Sequence, residues 1–150
     1  MAMTGERREV FSAYTFLVEV DGDQGSAAYF RSVGGLSSKA EVVPMQQGGV
    51  NDIEHKLIGR TSFANLILKR GLASGDGWSK RLRFVSNDSS PIKRFNGSIT
   101  QLGPGMKPVH RWQFVKGWVC KWEGPEFDAA KNEVSIETIE IAHEGLIMLG

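Results

Sequence analysis

The stretch RWQFVKGWVCKWE, Arg111 to Glu123, carries the reading of the fold class. Trp112, Phe114, Trp118, Cys120 and Trp122 share one parity with only Lys116 interrupting, and the other parity holds Arg111, Gln113, Val115, Val119, Lys121 and Glu123. Successive side chains of a strand point to opposite faces, so this alternation predicts a strand with one aromatic face against a core. Upstream, Ile92 to Leu102 reads as a weaker strand. The turn-rich segment Gly103 to Pro108 joins the two into a long hairpin.

Working outward, most of the chain reads the same way. Phe16, Val18 and Val20 alternate with Leu17, Glu19 and Asp21, and the turn-forming stretch Asp21 to Gly25 leads into a run from Ala27 to Val33, a hairpin pattern. Gly34-Gly35 breaks the chain before a third run, Lys39 to Gln47, whose Pro44 suits a sheet edge. Turn residues recurring at intervals of roughly ten positions predict a sandwich or barrel. One segment reads as a helix, Ala73 to Val85. There Trp78, Leu82 and Val85 fall at i, i+4 and i+7, Ser74 or Asp76 can cap the start, and Lys80, Arg81 and Arg83 suit the negative end of the dipole. The last run, Val134 to Met148, is ambiguous on pattern. Ile136, Ile139, His143 and Leu146 have helical spacing, with Glu137, Glu140 and Glu144 on another face, yet its β-branched density favours a strand.

A length of 150 residues with 41% hydrophobic and 23% charged residues suits one domain, long enough to bury a single core. The net charge of +1 argues against generalised attraction to nucleic acid or membranes, which needs a basic excess on one face. The charged start MAMTGERREV and the lack of a long apolar run lead to the expectation of cytosolic synthesis without membrane insertion. Cys120 is the only cysteine, so packing alone must hold the fold.

Chemistry-bearing motifs are missing from the sequence. His55, His110 and His143 have no His-x-x-x-His spacing, and Cys120 has no partner at zinc-ligand spacing, so no metal, cofactor or catalytic residue is expected. Ala73 to Gly77 only distantly imitates a nucleophile elbow. Glu137, Glu140 and Glu144 read as a solvated face, or as partners for Arg60, Lys69, Arg70, Lys80, Arg81, Arg83, Lys93 and Arg94 on a neighbouring subunit. One segment exceeds a plain loop. GGVNDIEHKLIG, Gly48 to Gly59, contains Val50, Ile53, Leu57 and Ile58, too apolar to stay uncovered, so it either folds back on its own barrel or packs on another subunit.

Four stretches, in order along nearly the whole chain, resemble a known family: FLVEVDG at Phe16 to Gly22, GGVNDIEHKLIGRTSFANLILKRGL at Gly48 to Leu72, WQFVKGWVCKWEGPEF at Trp112 to Phe127, and NEVSIETIEIAHEGL at Asn132 to Leu146. They are similar to the inner tail-tube proteins of contractile-tailed phages and extracellular contractile injection systems, a family similar in fold to the haemolysin-coregulated tube protein of type VI secretion. The resemblance implies a mainly β fold, a compact β-barrel of two packed antiparallel sheets with one flanking α-helix, in a single domain spanning 1–150 with an N-terminal arm at 1–12. It also implies a strand rather than a helix for Val134 to Met148, with a bulge near Thr138 absorbing the change of parity.

In that family six copies form a ring, rings stack into a hollow tube, and a sheath drives the tube through a target envelope to deliver protein or DNA cargo. By resemblance, 48–60 is an extended inter-ring loop, with Gly48, Gly49, Val50, Asn51, Ile53, Leu57, Ile58 and Arg60 as inter-subunit contacts. The implied partners are further copies of the chain, the sheath protein, baseplate and tube-terminating proteins, and the cargo. The implied setting is a phage tail or a released injection particle assembled in the cytoplasm. The rival reading is a monomeric ligand-binding β-barrel using Trp112, Trp118 and Trp122.

Overall fold

The computed structural model describes residues 14–46, 53–71, 92–124 and 136–150. The predicted helix at Ala73 to Val85 and the arm at 1–12 lie outside the described residues. Ten strands are described. β1 (Thr15–Val20) and β2 (Asp23–Phe30) form the first predicted hairpin. Its turn is only Asp21-Gly22, shorter than the stretch to Gly25 expected, because Gly22 takes the left-handed φ of 79° that a tight reversal needs. At Arg31 the chain changes partner, its N–H donating to the Lys69 carbonyl at 2.9 Å, and it continues into β3 (Ser32–Gly34). β4 (Ser38–Gln46) and β5 (Glu54–Phe63) follow, then β6 (Leu66–Gly71), β7 (Phe95–Leu102), a 3-10 turn at Pro104–Met106, β8 (Pro108–Glu123), β9 (Ile136–Ala142) and β10 (Gly145–Met148).

Eight of these strands form one antiparallel sheet in the order β2-β1-β7-β8-β9-β6-β3, with β10 beside β8 as well. The 16 residues of β8 join its halves: Pro108 to Gly117 pair with β7, and Trp118 to Glu123 pair with β9. The halves fold over a shared core in which Val18, Phe30, Ile99 and Phe114 meet Leu66, Leu68, Ile139 and Ile141. Among the described residues the barrel expected from the resemblance is not closed, since β2 and β3 end the order without pairing to each other.

The single aromatic face predicted for β8 is divided by two bulges. One falls where Phe95 and Gly97 face Gly117 and Phe114, beside Lys116 at φ 52°; the other falls between Val119 and Lys121. Each extra residue turns the following side chains to the other face. The core face therefore passes from Phe114 to Gly117 and Val119 and then to Trp122, leaving Trp118 and Cys120 off it. Phe114 fills the slot so made. A Cβ on Gly97 would lie 2.5 Å from its Cζ, and one on Gly117 2.8 Å from its Cε2, so both positions need glycine.

From Ile136 onward the last run is extended, as the resemblance implied, but as two strands, β9 and β10, and without a bulge at Thr138. Glu137, Ile139 and Ile141 are buried in strict alternation, and the parity changes at His143-Glu144 instead, opposite the β8 bulge. Glu137 thus points into the core rather than along a shared acidic face. Arg70, directly opposite on β6, donates its Nε–H to Glu137 Oε1, and Trp122 Nε1–H donates to Oε2 at 3.0 Å. The guanidinium also lies over the Phe30 ring, 5.0 Å from its centre. Both charges are almost fully enclosed, with the residues 6% and 2% exposed. Removing one partner of such a pair costs about 3–5 kcal/mol, whereas replacing both by apolar groups is often close to neutral. Glu137→Leu should therefore lower the unfolding free energy by about 3–5 kcal/mol. The Arg70→Met/Glu137→Leu double variant should recover most of that loss, as read from urea unfolding followed by tryptophan fluorescence.

Candidate assembly surface

β4 and β5 pair only with each other, forming a two-stranded arm outside the main sheet. The segment expected as a loop at 48–60 is therefore a strand from Glu54 onward, and the run from Lys39 as far as Gln46 is its partner. Pro44 is tolerated because a two-stranded ribbon has only edge strands. Val43 lies opposite Leu57 and Met45 opposite His55, so these four share one face with Ile53. Val42 opposite Ile58 and Pro44 opposite Lys56 occupy the other. Among the described residues neither face has a core beneath it. Ile58 is 90% exposed and Val42 58%, with Val43, Met45, Ile53 and Leu57 all between 41% and 56%.

An isolated two-stranded ribbon is at best marginal in water. This one leaves apolar groups on both faces, each able to contribute on the order of 1–3 kcal/mol when covered. Of the residues predicted to make inter-subunit contacts, Ile53, Leu57, Ile58 and Arg60 lie on the exposed arm. Gly48, Gly49, Val50 and Asn51 lie outside the described residues. Val42, Val43 and Met45, which the sequence reading did not include, are exposed on the partner strand of the same arm.

The arm is held at a tight root. Ala64 N–H donates to the Ser37 carbonyl at 3.4 Å, and Ser37 N–H to that of Gly35 at 2.8 Å. Gly35 has φ 83° and sits so close to Asn65 that a Cβ would lie 1.9 Å from its carbonyl oxygen. Farther out, β5 carries an extra residue where Ala40 and Val42 face Thr61 and Ile58, which bends the ribbon.

Residues 12–147 match the family described as T4-like virus tail tube protein gp19. The chain belongs to this tail tube family. Its fold is similar to that of a chain in the 6-fold symmetrised baseplate of the anti-feeding prophage, with a TM-score of 0.75 and 24% identity over 91% of this chain and 92% of that one. A chain of the PVC sheath-tube complex in its extended state gives 0.73 and 19% over 89% and 87%. Hcp1 from Flavobacterium johnsoniae gives 0.52 and 12% over 89% and 93%. No curated protein sequence matches the chain.

The polar groups of the described residues engage one another in pairs. Arg70 and Glu137 pair within the subunit and are enclosed, which removes them from both readings left open for these charges, the solvated face and inter-subunit pairing. Arg94 and Glu144 meet at 2.8 Å on the surface with both side chains half exposed. Lys116 also approaches Glu144, at 3.6 Å. Among the described residues no three His, Cys, Asp or Glu side chains could hold a metal ion, and no helix is long and apolar enough to cross a membrane. Trp112 and Trp122 pack on the core while Trp118 points away, so the three do not form the stacking platform that the ligand-binding reading needs. His55 and His110 are exposed, whereas His143 is half-buried.

Cys120, in the second β8 bulge, accepts from Asn65 Nδ2 at 3.8 Å and donates to the Glu140 carbonyl at 3.5 Å. Burial, and then the Glu140 carboxylate, push its thiol above the usual range. Less thiolate is present near neutral pH, and the thiolate is the reactive form. Alkylation of Cys120 by iodoacetamide at about pH 8 should run several-fold slower than that of an unstructured cysteine peptide, as followed by mass spectrometry.

Proposed function

We propose that the chain is the structural subunit of a hollow inner tube, that six copies make a ring, and that rings stack through the β4-β5 arm. The supporting observation is the arm itself, an extended ribbon with exposed apolar side chains on both faces that no other described element covers. The contact set is Gly48, Gly49, Val50, Asn51, Ile53, Leu57, Ile58 and Arg60, extended across the ribbon to Val42, Val43 and Met45. Among the described strands β2 and β3 end the sheet order, and sheet ends are where neighbouring copies can add backbone pairing.

The role is mechanical. A sheath contracts around the tube and drives it through an envelope, with protein or DNA cargo in the lumen, and the subunit performs no chemistry. Assembly takes place in the cytoplasm, and the tube leaves as part of a phage tail or an injection particle. Sheath, baseplate and tube-terminating proteins are the partners. Support for these partners comes from the similar chains, whose structures are described as a baseplate, a sheath-tube complex, a tube terminating cap and a sheath/tube terminator.

The purified chain should form six-membered rings and stacked tubes in negative-stain micrographs. Leu57→Lys/Ile58→Asp should leave subunit stability within about 0.5 kcal/mol per site, since both positions are exposed. The same variant should raise the concentration needed for stacking at least about tenfold, the equivalent of losing about 1.4 kcal/mol per contact. Stacking by this variant at the wild-type concentration, or a wild-type chain that stays monomeric at high concentration, would refute the proposal.

A further inference from the structure

On β7, Gly97 and Ile99 face the core: a Cβ on Gly97 would strike the Phe114 ring, and Ile99 is fully enclosed. Ser98 between them therefore points to the opposite face of the sheet. It lies directly between Glu19 of β1 and Gln113 of β8. Although it is on the outer face it is only 2% exposed, and among the described residues no hydrogen bond reaches its hydroxyl. A buried hydroxyl without a partner is destabilising, and a bound polar group relieves it. Above Ser98, beside the β1-β2 turn, opens a cleft of about 440 Å³, an ordinary size for a small-molecule site. Its walls carry Glu19, Asp21, Asp23 and Arg111, with the apolar Val20 and Ala27. Three carboxylates against one guanidinium give these residues a net charge of −2. Among the described residues Glu19 and Arg111 enter no ion pair, and the Asp21 carboxylate receives a long contact, 3.4 Å, from Gln113 Nε2.

Such a lining asks for positive charge. A metal ion does not fit, since among the described residues no three His, Cys, Asp or Glu side chains come close enough together to hold one. The carboxylates are spread along the cleft and suit positive charges that are themselves spaced apart. Ammonium groups on an aliphatic chain meet this condition. Each carries three donors and no acceptor, so one group can donate to the Glu19 carboxylate and to Ser98 Oγ on the neighbouring strand, while methylenes lie against Val20 and Ala27. Arg111, two strands from Glu19, closes the far side to further cations. We infer that this cleft is a binding site for a linear aliphatic amine carrying more than one ammonium group, with Glu19, Asp21 and Ser98 as the residues that contact it. The cleft lies within one subunit, so the site stands or falls apart from the assembly reading.

Spermidine serves as the probe. Amide spectra of the nitrogen-15-labelled full-length chain would be recorded through a spermidine titration, with sodium chloride holding the ionic strength constant. The protein concentration would be one at which sedimentation shows the subunit unassembled. The amides of Glu19, Asp21, Gly22 and Ser98 should shift and saturate. Glu19→Gln and Ser98→Ala should each weaken binding at least about fivefold, through loss of one charge-assisted hydrogen bond. Glu123→Gln, which removes an exposed carboxylate beside Lys121, should leave the affinity within about twofold. Butylamine, with a single ammonium group, should bind at least about tenfold more weakly than spermidine. Ser98→Ala should keep the fold, because it replaces an unpartnered hydroxyl with a smaller apolar group. Shifts that never saturate, the same shifts from magnesium chloride at equal ionic strength, butylamine binding as tightly as spermidine, or unchanged affinity in either cleft variant would overturn the site.

Discussion

β8 has to serve two half-sheets at once. Sixteen residues of flat, regular strand would keep one parity toward the core throughout, yet its two ends pair with halves that fold over each other and so need a bend between them. The bulges at Lys116 and Cys120 supply that bend by adding local twist and exchanging the faces of the strand. Phe114 occupies the inside of the first bend, where Gly97 and Gly117 give its ring room and Phe95 meets it edge-on at 5.9 Å. On the neighbouring strand the break at His143-Glu144 lies opposite the same point, so β9 and β10 follow β8 around the corner and keep their pairing. The core, the path of the last strands and the place where His143 meets the arm all follow from this one bend.

The body and the arm solve opposite problems. In the body, side chains from both half-sheets enclose each other, and the buried charges find partners there. In the arm, two strands pair through a backbone ladder interrupted by one bulge, while among the described residues no opposite layer lies above or below its side chains. Charged residues along the ribbon, among them Lys39, Glu41, Glu54, Lys56 and Arg60, restrain indiscriminate edge pairing without covering the apolar groups. A surface of this kind suits a partner that repeats, since every further copy of the chain brings the same surface with it.

The strand at Arg111 to Glu123 was legible because alternation is a local signal. For Ile53, Leu57 and Ile58 the residues alone left open whether they fold back on the barrel or face outward, and the structure leaves them exposed. The faces were harder. Lys116 was the one visible break in parity, and with Gly117 it marked the first bulge; nothing local marked the second, because Cys120 suits either face. Helical spacing of Ile136, Ile139, His143 and Leu146 arose from a change of parity at His143-Glu144, a feature fixed by the opposite strand. Glu137 looked like a surface acid because its partner, Arg70, stands 67 residues away. The arm was read as a loop because Gly48 to Gly59 was taken without the run before it, although Pro44 already placed that run at an edge.

Arg70 and Glu137 are directly opposite in the β6-β9 ladder. Enclosed ion pairs add little net stability, since loss of hydration offsets most of their attraction, so their value here lies in choosing among alignments. A slip of β9 by one residue against β6 would turn Glu137 outward and bring Glu140 or Thr138 to the core face, taking the carboxylate away from an enclosed guanidinium. A core of only Leu, Ile and Val would penalise the same slip less, because the β-branched and apolar residues on both faces of β9, Ile136 with Ile139 and Ile141, would partly replace one another. The pair thus fixes the alignment of the half-sheet that ends in β3. That alignment also fixes the positions of Ala64 and His143, and so the point from which the arm departs.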